Sequence, residues 1–90
     1  MASVESLDTR VKQILEAAFP LPDRVRVKDD DGIIAVVVSP RFRDLDSMDR
    51  QDLVWPPIDV ALTPQERRHI AIVVTATPEE DAFYSVPLDD

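Results

Sequence analysis

Gly32 is the only glycine in the 90-residue chain, and it closes the run Asp29-Asp30-Asp31-Gly32. An Asp-Gly pair supplies the positive φ angles that a tight hairpin needs. Both flanks fit that reading. Arg24-Val25-Arg26-Val27-Lys28 alternates polar and apolar residues, the period of a half-buried strand. Ile33–Ser39 is β-branched and almost wholly apolar, as expected of a central strand buried against a helix layer on at least one face. The scarcity of glycine also excludes chemistry. Loops that cradle phosphate need several glycines, so that backbone N–H groups can approach the anion. A Walker loop, a dinucleotide fingerprint and a Gly-x-x-Gly nucleic-acid clamp are therefore ruled out.

Prolines divide the rest of the chain. Leu7, Val11, Ile14, Leu15 and Ala18 form one helical stripe, which predicts a helix over 7–18 with Ser6 as N-cap and Asp8 at the positive end of its dipole. Pro20 and Pro22 stop it. Pro40 ends the apolar strand, and 41–46 is a loop anchored in the core by Phe42. Asp46 or Ser47 caps a second helix that carries Met48, Leu53, Val54 and Trp55. Pro56-Pro57 is expected to close or kink that helix, with 58–62 as one further turn. Thr63-Pro64-Gln65-Glu66 is a capping box with proline at the first helical position, leading into Arg67-Arg68. His69–Thr75 reads as the third strand. Thr77-Pro78-Glu79-Glu80 is a second capping box, opening a short last helix that runs to about Tyr84.

The expected architecture is a small α+β sandwich of order α-β-β-α-β-α, a three-stranded mixed or antiparallel sheet with helices on one face. Residues 1–6 are expected to form a flexible N-terminus, 7–84 a single domain and 85–90 an acidic tail. Hydrophobic residues make up 44% of the chain, enough for one core. Ten Lys/Arg against 18 Asp/Glu give a formal charge of −8, which opposes generic binding to nucleic acid or anionic membranes. The longest apolar runs, 33–38 and 70–74, are far short of the roughly 20 residues a membrane helix needs. The N-terminal residues lack the pattern of a secretory signal. With no Cys there is no disulfide, thiolate metal site or thiol nucleophile, and a cytoplasmic, reducing location fits. One His and no Cys, with no nucleophile beside the carboxylate pairs Glu79/Glu80 and Asp89/Asp90, point away from an enzyme.

Four stretches taken together resemble the BolA-like family. Val37-Val38-Ser39-x-x-Phe42 is close to the family's second-strand signature. Arg50-Gln51-x-x-Val54 stands where the family has Arg-His-x-x-Val. His69 lies at the start of the third strand, where members have Ile-His-Ala-Leu, and that strand ends in Thr77-Pro78-Glu79-Glu80 at the usual spacing. The resemblance covers roughly 8–81. It implies a fold of the class II KH-like kind and a non-enzymatic accessory protein of iron–sulfur trafficking or iron regulation, monomeric alone and partnered by a monothiol glutaredoxin. It also implies that His69 is one ligand of a [2Fe-2S] cluster shared with that partner, whose cysteine and a glutathione supply thiolates, and that no cofactor is bound by this chain alone. The sequence departs from the family at Pro56-Pro57, at Gln51 in place of His, and at the short Asp-Gly turn, where many members carry His or Cys in a longer loop.

Each candidate has a plainer alternative. His69 is a good nitrogen donor to iron, zinc or copper, or simply a half-exposed polar residue at a strand edge. Asp29, Asp30 and Asp31 lack the alternating ligands of a calcium loop and suit a solvated hairpin tip. Arg41, Arg43, Arg50, Arg67 and Arg68 suggest a basic patch for an acidic partner or glutathione carboxylates. They are interleaved with Asp44, Asp46, Asp49, Asp52 and Glu66, a poor DNA footprint and equally a mixed-charge solvated face. Trp55 reads as core rather than as a docking aromatic. A nucleic-acid-binding regulator and an interaction module without a metal role remain alternative functions on the same scaffold.

Overall fold

The hairpin forms where the glycine places it. In the computed structural model, which describes residues 6–84, β1 (Arg24–Asp29) pairs antiparallel with β2 (Ile33–Val38), from Arg24 opposite Val38 to Asp29 opposite Ile33. Asp31 (φ 55°) and Gly32 (φ 123°) make the reversal. The expectations for 1–5 and 85–90 lie outside the described residues.

Around the hairpin the order is α1 (Leu7–Ala18), β1, β2, a 3-10 turn at Pro40–Phe42, α2 (Ser47–Ala61), α3 (Pro64–Arg67), β3 (Ile70–Ala76) and α4 (Pro78–Tyr84). The strands lie in the order β1-β2-β3, with β3 parallel to β2, so the sheet is mixed. The parallel pairing follows from the intervening α2 and α3, which carry the chain back before β3 begins.

Period-two alternation gives β2 two faces. Ile33, Ala35 and Val37 are at most 1% exposed and point to one side. Against them pack Val11, Leu15 and Phe19 from α1 and its end, Phe42, and Val54 and Ile58 from α2. Each large side chain buried there contributes about 1.5–3 kcal/mol. The two long helices thus cover one face, as their apolar stripes require.

Four local details differ from expectation. Ser6 holds the N-cap position of α1, but its hydroxyl meets Thr9 Oγ1 at 2.8 Å and caps no backbone N–H. The Ser6 hydroxyl is also the main cause holding the Asp8 carboxyl below its ordinary value. Pro56-Pro57 does not close α2, which runs on to Ala61. The two prolines remove donors for the Asp52 and Leu53 carbonyls, but both residues are exposed and water can serve instead. Val54 and Ile58, each 0% exposed, bracket the pair and hold the helix by packing. His69 lies one residue before β3. Lastly, α4 reaches beyond the helical face, because its Asp81 binds Arg26 at 2.7 Å on the opposite side of the sheet.

Candidate functional site

His69 stands on a turn whose backbone is pinned from both sides. α3 begins with the expected capping box: the Thr63 hydroxyl accepts from Glu66 N–H at 3.1 Å, and Glu66 Oε1 accepts from Thr63 N–H at 2.8 Å. Arg10 of α1 clamps the other Glu66 oxygen at 2.6 Å. The Thr63 backbone bond, followed by Arg10, holds the Glu66 carboxyl below its usual range. Arg67 reaches back to Asp59 of α2 at 2.8 Å. The His69 N–H then donates to the Glu66 carbonyl (3.1 Å), while the His69 carbonyl accepts from Ile33 N–H (2.8 Å). The His69 side chain is exposed, and its imidazole makes no hydrogen bond or ion pair among the described residues.

A β-bulge follows immediately. Ile33 lies opposite Ile70 but Ile34 lies opposite Ile72, leaving Ala71 as the extra residue. Gly32 makes room for it: a Cβ at Gly32 would lie 3.1 Å from the Ala71 Cβ and 3.8 Å from the His69 carbonyl oxygen. The hairpin tip and the histidine turn are therefore one packed unit. Gly32→Ala combines this crowding with an unfavourable positive φ, and we expect a loss of about 1–3 kcal/mol. Chemical denaturation measures the loss, and amide shifts at His69 and Ala71 should move with it. An unchanged midpoint would show that the contact imposes no constraint.

Most of the five arginines are engaged by carboxylates of the chain itself. Arg41 binds Asp23 (3.1 Å) and the Ala18 carbonyl (3.0 Å) and lies 4.4 Å above the Phe19 ring, closing the end of α1. Arg43 pairs with Glu79. Arg50 grips both oxygens of Glu80, at 2.7 and 3.2 Å, and the Leu45 carbonyl at 3.0 Å. With Arg67 on Asp59, four of the five are ion-paired within the chain. Arg68, beside His69, is exposed and has no side-chain partner among the described residues.

The donor set for a metal is narrow. Among the described residues no group of three or more His, Cys, Asp or Glu side chains is placed to hold an ion. Asp29, Asp30 and Asp31 do not join His69 in such a group. His69, the one histidine of the chain, is its single imidazole donor.

Gln51 has a structural task that sequence reasoning missed. Its Nε2 donates to the Val73 carbonyl (3.0 Å), and its Oε1 accepts from the Trp55 indole (2.7 Å). Trp55 is half-buried and packs against the core, in line with expectation. The i, i+4 spacing of Gln51 and Trp55 was the available signal.

No family model matches the chain, and no curated protein matches its sequence. Solved structures do match. A Bol-like protein from Babesia bovis has 24% identity and a TM-score of 0.62, over 96% of this chain and 100% of its own. BolA1 from Arabidopsis thaliana has 17% identity and a TM-score of 0.62, over 86% of this chain and 98% of its own. BolA1 from Mus musculus has 17% identity and a TM-score of 0.62, over 98% of this chain and 78% of its own. The likeness spans most of the chain in each case, and the protein has the fold of BolA and Bol-like proteins.

Proposed function

We propose that the protein is a non-enzymatic, BolA-like accessory factor of iron–sulfur trafficking or iron regulation, acting in the cytoplasm through a complex with a monothiol glutaredoxin. In this reading His69 is the chain's one ligand to a [2Fe-2S] cluster held between the two proteins. The observation that carries it is an exposed imidazole, unbonded among the described residues, on a backbone fixed at both its N–H and its carbonyl. The backbone of such a donor is pre-positioned, so ligation has only the side-chain rotamers left to order. A chain without cysteine can give nitrogen and leave sulfur donation to the glutaredoxin cysteine and glutathione. When bound, a cluster with imidazole on one iron supplies electron transfer at a raised potential. Arg68, and the exposed edge of the Arg67–Asp59 pair, offer cationic contacts beside the histidine. Arg41, Arg43 and Arg50 would contribute only where the partner outcompetes their internal carboxylates.

The test is direct. Mixing the protein with cluster-loaded monothiol glutaredoxin should change the visible absorption and circular dichroism of the cluster, and His69→Ala should remove that change. An unchanged spectrum, the same for both forms, rejects the ligand role. Retained binding with no spectral effect of His69→Ala would select an interaction module without a metal role. Four internally paired arginines weigh against a nucleic-acid regulator, since a phosphate backbone needs free cations on one surface. Among the described residues no helix is long and apolar enough to cross a membrane.

A further inference from the structure

We infer that the free edge of β1 takes up an extended peptide segment of another protein as an added strand, with one apolar side chain of that segment seated in the cleft behind the edge. The register fixes which backbone groups are on offer. The Ile33 N–H donates to the His69 carbonyl and the Ser39 N–H to the Ala76 carbonyl, so alternate residues of β2 from Ile33 onward turn their polar groups toward β3. Ile34, Val36 and Val38 turn theirs toward β1, where they face Lys28, Arg26 and Arg24. The N–H and C=O groups of Val25 and Val27 therefore point away from the sheet. Among the described residues they have no hydrogen-bond partner.

A cleft of about 540 Å³ lies against this edge, walled by Phe19, Pro20 and Leu21 and by Arg24, Val25 and Arg26. The last three are consecutive and their side chains alternate between the two faces, so they line one cleft only along the border of the strand. Two carboxylates, Glu16 and Asp23, complete the lining, and Asp23 is already held by Arg41. A residue added opposite Val25 sends its side chain to the helix-covered side of the sheet, as Val25 does. There it meets Phe19, Pro20 and Leu21. Leu21 is 87% exposed, an apolar wall still open to water.

Main-chain complementarity selects the occupant. Alternating outward N–H and C=O groups match an extended backbone, which brings one acceptor and one donor to each of them. A helix has spent its own backbone groups internally, and a phosphate chain can accept but has no N–H to give a carbonyl. A second copy of β1 is a poor fit. Antiparallel self-pairing through Val25 and Val27 sets Arg24 or Arg26 opposite Arg26 or Lys28, and like charges directly opposite are destabilising. The other border of the sheet is less open, since Gln51 already occupies the Val73 carbonyl. The cleft lies at the Arg24 end of β1, whereas the hairpin tip and His69 lie beyond its Asp29 end, so the site does not depend on the cluster reading.

The experiment adds a capped peptide of alternating Thr and Leu to the full chain and follows amide hydrogen exchange residue by residue. In the free chain the Val25 and Val27 amides should exchange quickly, while those of Arg26 and Lys28, bonded to β2, exchange slowly. The peptide should slow Val25 and Val27 about tenfold or more. The same peptide with its backbone amides N-methylated should give no protection. Leu21→Asp, at an exposed position, should weaken binding about fivefold; a thermal melt confirms that it folds, and if it does not, the N-methylated peptide decides. The proposal fails if the methylated peptide protects equally, or if neither peptide protects. It also fails if both amides are already slow in the dilute free chain, since another segment of this chain then holds the edge. Slowing when the chain alone is concentrated overturns it too, because the occupant is then a second copy.

Discussion

Phe42→Ala will cost about 3–5 kcal/mol and lower the melting temperature by roughly 15–30 °C. Phe42 is 0% exposed although it lies on a connection rather than a long element. Ser39 Oγ accepts from Arg41 N–H at 3.1 Å, and Pro40 starts the 3-10 turn that drives the ring inward. There its centroid lies 5.7 Å from that of Phe19 at a tilt of 49°, and the Arg50 guanidinium sits 5.9 Å from it. Removing the ring leaves a cavity among α1, α2 and β2, and it deprives two elements of a shared contact. A domain of this size has only about 5–15 kcal/mol in total, so the variant should be near its folding limit at 37 °C. Phe42→Leu keeps most of the volume and should lose less than about 1.5 kcal/mol. Urea denaturation of the pair decides the matter. A loss below 1 kcal/mol for Phe42→Ala would mean that the connection is not part of the core.

The second large effect is acid sensitivity centred on α4. The Glu80 carboxyl is pushed down to about 2, first by the two-pronged grip of Arg50 and then by the Thr77 N–H of the capping box. Because the folded value lies below the unfolded one, Glu80 stabilises the fold fully above about pH 4.5. That contribution is lost as pH falls through about 2. Glu79, paired with Arg43, and Glu66 are held low as well and act in the same direction. Glu80 is 41% exposed, so solvent screens much of the nominal gain and Glu80→Gln should cost only about 1 kcal/mol near neutral pH. Arg50→Ala should cost more, about 2–3 kcal/mol, because the side chain is 14% exposed and also binds the Leu45 carbonyl. Melting temperatures between pH 7 and 2 should show a shallower acid slope for both variants than for the parent chain. Identical slopes would refute the assignment to this pair.

Much of the architecture was readable because local and long-range signals agreed. Asp-Gly between an alternating and an apolar segment left one plausible hairpin, and both Thr-Pro-x-Glu boxes form as written. Pro56-Pro57 misled because proline propensity describes an isolated helix. Two fully buried residues, Val54 and Ile58, outweighed it. The fixing of the His69 backbone is only half local: the bond to the Glu66 carbonyl continues the turn opened by the capping box, but the bond from Ile33 N–H comes from a residue distant in sequence that no local pattern encodes. The arginines illustrate the opposite limit. Their number and clustering along the chain suggested one basic surface, but spacing cannot say which carboxylate each will meet once Asp23, Asp59, Glu79 and Glu80 fold beside them. Gln51 was noted only as a departure from a family pattern, because a hydrogen bond to a strand carbonyl has no sequence signature.

That glutamine also bears on an open edge of the sheet. β3 is one of the two edge strands, and the Ala76 carbonyl turns inward to receive Ser39 N–H. Val73, three residues earlier, is out of phase with it, so its carbonyl points outward. Such a group is an invitation to an intruding strand, more so where Ile72 and Val74 flank it with exposed β-branched side chains. With Gln51 seated on that oxygen and Trp55 holding the amide in place, a stranger's backbone loses its central foothold. One acceptor along this border is thereby already occupied.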